Sequence, residues 1–317
     1  MNDTQNIKLS AVAVEDNTYR ITTSSKIDDL VASIRQIGLI HPPIVKQSPS
    51  GYLIISGFRR IAACDYLGWK EFAAQILDAD FDVAQCIYLA IVENALQRPL
   101  NLIEIFRCIS LLSSIITDER ILTETASKLG LPSDPGLIRK IKKIGDLDTS
   151  IQEGILTNTI SLAMVTELAK LEPNAGVALT KVYARLKIGL NRQREFMMLL
   201  DEIAHRENST IANLLNEGVI QQVLDDHNLD RAQKRRQIQA YLRQRRFPAI
   251  SRMKNEFNKQ IKKLQLGNQI SLTPPKDFEG SNYTLKLTFS SLSEFEELQS
   301  RLDRIIQSKG LSKFLTK

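Results

Sequence analysis

The chain has 317 residues, of which 43% are hydrophobic and 25% are charged, a balance that is ordinary for globular proteins. This length is sufficient for two or three domains, each with its own core. No apolar run approaches the roughly 20 residues of a membrane-spanning helix, and the first residues, MNDTQNIKLS, do not have the pattern of a signal peptide. We therefore expect a cytoplasmic protein without a membrane partner.

Cysteine and histidine usage argues against disulfides and against a His/Cys metal site. The 3 cysteines are odd in number and lie in apolar segments, and the 3 histidines are far apart in the sequence. We expect buried, reduced thiols.

The charge indicates an anionic partner. The net charge is +6 and the pI is about 9.1. Basic residues, among them Arg235 and Arg236, crowd the segment from Arg231 to Lys254, and only Asp230 opposes them. The segment is either a contact with DNA phosphates or a solvated basic helix.

The first part of the chain predicts a small α+β domain. Its elements are a strand over residues 7–14, a helix from Ile27 to Ile37 capped by Ser24 or Ser25 and stopped by Gly38, and strands over 44–46, 52–55 and 72–77.

The motif ISGFRRIAACDYL, Ile55–Leu67, lies within this domain and predicts a strand, a glycine turn and a helix start. Gly57 allows a close approach of the backbone, the first helical turn has free N–H groups, and Arg59 and Arg60 add positive charge. A phosphate would fit there. The alternative is that both arginines are solvated or paired with carboxylates.

A helical pattern begins at Asp82 and continues for about 160 residues. Its first helix carries Glu93 and Asn94 near its end, and Asn101 could cap the next helix, Leu102–Ile115. A carboxylate beside an amide favours hard-metal coordination together with phosphates. A capping or salt-bridge pair is the alternative.

The segment TETASKLGLPSDPGLIRKIKKI predicts a helix-turn-helix. Thr123 or Thr125 would cap its first helix, and the second would start near Pro135 or Gly136. Five residues are candidates for DNA contacts: Ser133, Arg139, Lys140, Lys142 and Lys143. An ordinary helical hairpin remains the alternative.

The later helices are predicted over 191–205, 209–215, 219–224 and 254–266, with Asp148 and Ser161 as caps of two earlier ones. The chain then changes to two strands, 269–272 and 283–289, and a last helix capped by Ser293. A unit of this size, about 50 residues, buries little surface alone. We expect it to pair with a second copy, or else to pack on the protein's own helical part.

In order and spacing, these parts resemble the ParB family of DNA-partition proteins, within the ParB/sulfiredoxin superfamily. The resemblance is carried by IDDLVASIRQIGLIHPPIV, YLIISGFRRIAACDYLGW, VENALQRPLNLIEIF, the helix-turn-helix and the strand-strand-helix ending. It implies an α+β multidomain fold: a nucleotide-binding domain (1–98), a helical DNA-binding domain (99–230), a basic linker (231–264) and a dimerisation domain (265–317).

The resemblance also implies a CTP- and Mg²⁺-dependent clamp on double-stranded DNA at a palindromic site, a ParA-type ATPase partner, slow CTP hydrolysis and association with the nucleoid. Arg20, Gly57, Arg59, Arg60 and Asn94 would bind the nucleotide, and Glu93 and Asn94 the metal. The first residues, MNDTQN, could contact the ATPase.

Three positions depart from the family pattern: Phe58 replaces an acidic residue, Ala62 replaces an arginine and Pro99 replaces a polar residue. They bring nucleotide hydrolysis and nucleotide choice into question. The alternatives are a plasmid- or phage-borne DNA-binding regulator without nucleotide switching, or an enzyme of the same superfamily, sulfiredoxin-like or a nucleotide-dependent kinase. Residues 56–60 contain no cysteine for sulfiredoxin-like chemistry.

Overall fold

The computed structural model of the chain describes residues 4–307. The chain divides into two compact units, Met1–Gln193 and Arg194–Lys317. The four-part division at residues 98, 230 and 264 stays a prediction. Residues 1–3 of the expected ATPase-contacting tail and residues 308–317 of the expected dimerisation domain lie outside the described residues.

A four-stranded sheet organises the amino-terminal part of the first unit. Its strands are β1 (Thr4–Lys8), β2 (Ile44–Ser48), β3 (Gly51–Ser56) and β4 (Glu71–Leu77). Their order is β1-β4-β2-β3, with β4 and β2 parallel and the other two pairs antiparallel. Two helices, α1 (Asp28–Ile37) and α2 (Phe58–Tyr66), pack their apolar faces into the same core. The predicted α+β character is confirmed.

The predicted strand over residues 7–14 is wrong beyond Lys8. Leu9–Ala11 form a turn of 3-10 helix, after which Ala13 N donates to Tyr52 O at 2.9 Å. The turn brings the carbonyl of Ala11 against Gly51, where a Cβ would lie 2.1 Å from the Ala11 oxygen. After β1, the chain therefore ends its pairing with β4 and crosses to lie beside β3.

The predicted serine cap of α1 is also wrong, while its predicted end is confirmed. The N-cap is Ile27, which makes no side-chain capping bond, and Ser24 N donates instead to Thr22 Oγ1 at 3.3 Å. Gly38 ends the helix at φ +77°.

Helices follow from Asp82 onward, as predicted. They are α3 (Val83–Ala95), α4 (Leu102–Ile115), α5 (Glu119–Lys128), α6 (Pro135–Lys142), α7 (Thr149–Leu156), α8 (Leu162–Leu168), α9 (Pro173–Leu186) and α10 (Leu190–Glu207), the last of which contains the boundary between the units. Fully buried side chains such as Ile109, Leu112, Ile138 and Tyr183 form their core.

Among helices α4 to α8, three predicted caps are confirmed and one is wrong. Asn101, Asp148 and Ser161 accept backbone N–H bonds at the starts of α4, α7 and α8. Helix α5, however, is capped by Asp118, which accepts from Arg120 N at 2.7 Å, and not by Thr123 or Thr125. The Thr123 hydroxyl donates to Arg120 O inside the helix.

The second unit continues with helices and closes with a small sheet. Its elements are α11 (Ile211–Leu215), α12 (Gly218–Asp225), α13 (Arg231–Arg246), α14 (Pro248–Leu264), β5 (Ile270–Thr273), β6 (Thr284–Leu287) and α15 (Leu292–Gln307). The strands β5 and β6 are antiparallel, and Leu266, Ile270, Leu298 and Ile305 form a small core beneath them. Ser291, not Ser293, accepts from Glu294 N at the start of α15, at 3.2 Å.

None of the helices within residues 4–307 is long and apolar enough to cross a bilayer.

Candidate anion site and nucleic-acid interface

Gly57 joins β3 to α2 in a conformation that only glycine adopts easily. It has φ +95° and is the N-cap of α2. A Cβ at this position would lie 2.6 Å from Pro43 Cβ and 3.0 Å from Pro43 Cα. The motif therefore has the predicted order of strand, glycine turn and helix start.

The two arginines of the motif hold neighbouring loops in this structure. Arg59 donates through Nε and Nη2 to Lys26 O, at 2.9 and 2.5 Å. Arg60 Nη1 donates to His41 O at 2.8 Å and to Pro42 O at 3.3 Å. Burial lowers the pKa of Arg60, and Glu93 opposes that shift.

Glu93 lies at this motif, as expected for a residue that acts with it. Its Oε2 is 3.7 Å from Arg60 Nη2 and accepts from Ser56 Oγ at 3.4 Å. Asn94 instead donates through Nδ2 to Ala90 O at 2.8 Å, within its own helix. In the described part of the chain, no three His, Cys, Asp or Glu side chains come together as a metal cluster. The metal role of Glu93 and Asn94 stays a prediction.

Arg20 contacts Phe58, the residue that departs from the family pattern. The Arg20 guanidinium lies 5.7 Å from the centre of the Phe58 ring, and its Nη1 donates to Asn17 Oδ1 at 3.1 Å. Phe58 is only 9% exposed. The aromatic ring therefore gives the arginine a cation–π contact at a position where a carboxylate would give an ion pair.

Sequence reasoning missed Glu104, which joins the segment before α1 to α4. Its side chain is 1% exposed and accepts from Arg98 Nη1 and Nη2, at 2.7 and 2.8 Å, and from Thr23 N at 3.0 Å. It also closes the capping box with Asn101. Burial alone would raise the pKa of Glu104, but these hydrogen bonds outweigh it and the pKa is lowered. The signal was the NxxE spacing of a capping box.

Sequence reasoning also missed Arg107, which lines a cavity of about 610 Å³ together with Arg20. Arg107 Nη1 donates to Thr22 O at 2.8 Å and to Ile21 O at 3.2 Å. Ser110 and Ser114 line the same cavity. The spacing of i, i+3 and i+7 on one helix face could have identified this group.

The predicted DNA-contacting residues lie on the surface of the α5–α6 pair. Helix α6 buries Ile138 and Ile141 and exposes its cationic side chains: Arg139, Lys140, Lys142 and the following Lys143. Ser133 is exposed in the segment that leads into α6. Arg139 donates to Glu119 Oε1 at 2.9 Å, an exposed pair that contributes little to stability.

The basic helix α13 has two different halves. Arg243, Arg245 and Arg246 pair with acidic side chains of the same unit: Glu195 with Arg243, Glu207 and Glu217 with Arg245, and Glu202 with Arg246. Arg235 and Arg236, near the start of the helix, are in no ion pair among the residues the structure describes. Only the first half therefore offers unpaired positive charge.

Comparison with known proteins identifies the amino-terminal domain. Residues 1–95 match the family model of the ParB N-terminal domain. The amino-terminal domain of the chain belongs to the ParB N-terminal domain family. The match covers Gly57, Arg59, Arg60 and Glu93, and it ends before Arg107.

Two relatives extend the similarity of this chain beyond the matched domain. A probable chromosome-partitioning protein ParB of Campylobacter jejuni is 29% identical over 177 residues, 56% of this chain and 54% of that protein. Its counterpart in Chlamydia muridarum is 27% identical over 161 residues, 48% and 55% of the two chains. The chain thus covers about half the length of each relative.

A solved structure of the family gives a weak overall likeness. The C-terminally truncated chromosome-partitioning protein ParB of Caulobacter crescentus, complexed with CTP-gamma-S, is 20% identical. The aligned region covers 57% of this chain and 99% of the Caulobacter chain, with a TM-score of 0.27.

Proposed function

We propose that this chain is a dimeric, sequence-specific DNA-binding partition protein whose amino-terminal domain binds CTP with Mg²⁺ as a switch. The observation that carries the proposal is the Gly57 turn with Arg59, Arg60 and Glu93 at one place inside the matched domain. A ParA-type ATPase partner, a palindromic DNA site and a place at the nucleoid in the cytoplasm are part of the same proposal.

The residues at the Gly57 turn fit a phosphate ligand and its metal. A left-handed glycine before a helix offers backbone N–H groups to an anion, and the two guanidiniums can neutralise phosphate charge. Glu93 and Ser56 present oxygen atoms side by side, and Mg²⁺ is commonly held by one or two carboxylates together with substrate phosphates. Arg59 and Arg60 would bind the phosphates, and Glu93, assisted by Asn94, the metal. The metal, when bound, would neutralise phosphate charge.

The exposed cations of α6 and of the first half of α13 support the DNA-binding part of the proposal. Phosphate contacts need solvent-facing Lys and Arg side chains without strong internal partners. Lys140, Lys142 and Arg236 are of this kind and Arg235 is half-buried, whereas Arg245 is held by two glutamates.

The first test is binding of CTP, compared with ATP, GTP and UTP, to the full chain in the presence of Mg²⁺. We expect selective CTP binding that is lost in Arg59→Ala and retained in Arg35→Ala, an exposed arginine on α1. Circular dichroism and specific DNA binding should be unchanged in both variants. A folded wild-type protein that binds no nucleotide would contradict the switch.

Phe58 favours a second candidate, a DNA-binding regulator without nucleotide switching. The ring is buried where the family pattern has an acid, and Arg59 and Arg60 already donate to main-chain carbonyls. This candidate predicts specific DNA binding that does not respond to CTP. Measuring DNA affinity with and without CTP and Mg²⁺ separates the two.

A further inference from the structure

One exposed face of α13 carries two arginines, Arg236 and Arg243. They are seven positions apart, so about two helical turns, or roughly 10 Å, separate them along the same face. Both side chains are exposed, whereas Ile238 and Leu242 turn the other side of the helix into the core. An exposed helix face with cations in a row suits the phosphates of a duplex better than a small molecule, which needs a concave site.

The two arginines differ in their partners. Arg236 has no ion pair with any residue of the described range, whereas Arg243 pairs through Nη2 with Glu195 of α10, in the same unit. The same oxygen of Glu195 accepts from Gln239 Nε2 at 3.3 Å. Gln239 is one turn before Arg243 on α13. Glu195 is therefore held against α13 by two side chains and occupies the acceptor position of one arginine.

This ion pair is open to exchange with another anion. The side chains of Arg243 and Glu195 stay 56% and 42% exposed, and a pair of this kind contributes little to stability. Arg245, in contrast, is only 24% exposed and pairs with both Glu207 and Glu217. Among the paired arginines of α13, Arg243 is the most exposed one, so an incoming anion can replace its carboxylate at the lowest cost.

We propose that this face of α13 contacts the phosphates of duplex DNA and that Glu195 competes with a phosphate for Arg243. A carboxylate and a phosphate both present two oxygen atoms to the donors of a guanidinium, so Glu195 occupies the place of a phosphate. The choice of DNA rests on the proposed function, whereas the competition rests on the contacts of Arg243. Glu195 therefore keeps the affinity for DNA of any sequence below the value that the charge of α13 would give.

The first test measures binding of a random-sequence duplex to the full chain by fluorescence anisotropy over a salt series. Glu195→Gln should steepen the slope of log K against log salt by about 0.9, because Arg243 gains a phosphate. Adding Arg243→Gln to that variant should restore the wild-type slope, whereas Arg243→Gln alone should change the slope little. Glu256→Gln removes the same charge from an exposed position on α14 and should leave the slope unchanged.

Arg236→Gln provides the reference for a phosphate contact that no carboxylate blocks. It should reduce the wild-type slope by about 0.9. A loss of the same size in Arg243→Gln alone would overturn the proposal, since Arg243 would then bind DNA despite Glu195. An unchanged slope in Glu195→Gln, or the same steepening in Glu256→Gln, would also overturn it. Circular dichroism verifies that each variant is folded.

Ala240 allows a second measurement that leaves every charge of α13 in place. It is exposed and lies between Arg236 and Arg243 on their face of the helix. Because the three natural cysteines are buried, Ala240→Cys provides an accessible thiol for a photoactivatable aryl azide. The labelled protein should cross-link to the duplex, whereas labelled Ser300→Cys, at an exposed position on α15, should not. Equal cross-linking from both positions, or none from Ala240→Cys, would overturn the proposal.

The outcomes separate this inference from the proposed function. Specific binding to a DNA site selected from a random pool, together with slopes that do not depend on Arg236 or Glu195, would support the partition protein and overturn the role of α13. Salt slopes that follow the expected pattern, in a chain that selects no DNA site, would support the α13 surface and contradict sequence-specific binding.

Discussion

Glu104 is a buried carboxylate that connects three parts of the first unit. Its oxygens accept from Arg98, from Thr23 N and from Asn101 N, so α4, the segment before α1 and the α3–α4 connection all meet at one side chain. Such a group stabilises the fold only while every partner is in place.

Glu104→Gln should lower the free energy of unfolding by about 2 kcal/mol, because it removes charge-assisted bonds at a buried position while Arg98 remains partly solvated. Urea unfolding measures this change. Adding Arg98→Gln to that variant should cost less than the sum of the two single changes, since both remove the same pair. Full additivity would mean that the pair is not coupled.

Gly57 offers a second test at a single residue. Gly57→Ala should destabilise the protein by about 2 kcal/mol and displace the side chains around Pro43, because strain at positive φ adds to a contact at 2.6 Å. Gly68→Ala is the matched control: it has φ +74° but nothing within 4 Å, so only the strain of about 1 kcal/mol remains. Equal losses in thermal unfolding would show that the contact with Pro43 relaxes freely.

The helix pair α5–α6 carries the prediction about DNA. Lys140→Ala should weaken DNA binding uniformly across sequences and reduce the slope of log K against log salt by about 1, if Lys140 contacts a phosphate. If it reads a base edge, specificity should relax, with a loss of about 1–3 kcal/mol. Fluorescence anisotropy over a salt series distinguishes the two. Lys181→Ala, on the exposed side of α9, should leave the slope and the affinity unchanged.

The second half of α13 should respond to acid. The hydrogen bonds from Arg245 and Arg206 lower the pKa of Glu207 to about 2, from an ordinary value of 4.5. A lowered carboxyl pKa means stability that is fully present above pH 4.5 and is lost as the pH falls toward 2. Hydrogen exchange of the α13 amides should therefore accelerate between pH 5 and 3 in the wild type, after correction for the intrinsic rates.

In Glu207→Gln the corrected exchange should be faster at neutral pH and depend less on acid over the same range. Glu256→Gln, an exposed position on α14, should behave as the wild type. The same acid response in Glu207→Gln as in the wild type would assign the titration to another group.

At the scale of the molecule, the terminal strand-strand-helix unit is predicted to form the dimer. Its apolar side chains Leu285, Phe289, Leu292 and Ile306 are between 47% and 74% exposed. Deleting residues 265–317 should give monomers in sedimentation velocity, and Ile306→Glu should weaken the dimer without loss of folding. Val219→Glu, at a half-exposed apolar position on α12, should remain dimeric. A dimeric truncated protein would place the interface elsewhere.

The sequence predicts the larger elements well because their signals are local and repeated. The Gly57 turn and the Gly38 helix end depend on backbone conformations that few residue types adopt, and the Asn101 cap depends on a side chain that accepts a backbone N–H bond. Where several capping residues lie close together, as Asp118, Thr123 and Thr125 do, their residue types alone do not select the cap. Here Asp118 accepts from Arg120 N and Ile121 N, so α5 begins before either threonine.

The candidate site is harder to predict because its contacts join distant parts of the chain. Thr23 and Glu104 are 81 positions apart, and Arg107 and Thr22 are 85 apart. Helical spacing places Arg107 beside Ser110, but only the fold brings that face to Arg20. The strand over 7–14 failed for the same reason, since it is the approach of Ala11 to Gly51 that turns the chain.

The bonds of Arg59 and Arg60 to main-chain carbonyls make any ligand of theirs a competitor for those bonds. A phosphate that recruits Arg59 takes it from Lys26 O, and one that recruits Arg60 takes it from His41 O and Pro42 O. The intrinsic affinity is then reduced by the free energy of releasing the two loops. Binding of the ligand and order of the two loops therefore oppose each other. A partner that binds either loop would change the nucleotide affinity without contacting the nucleotide.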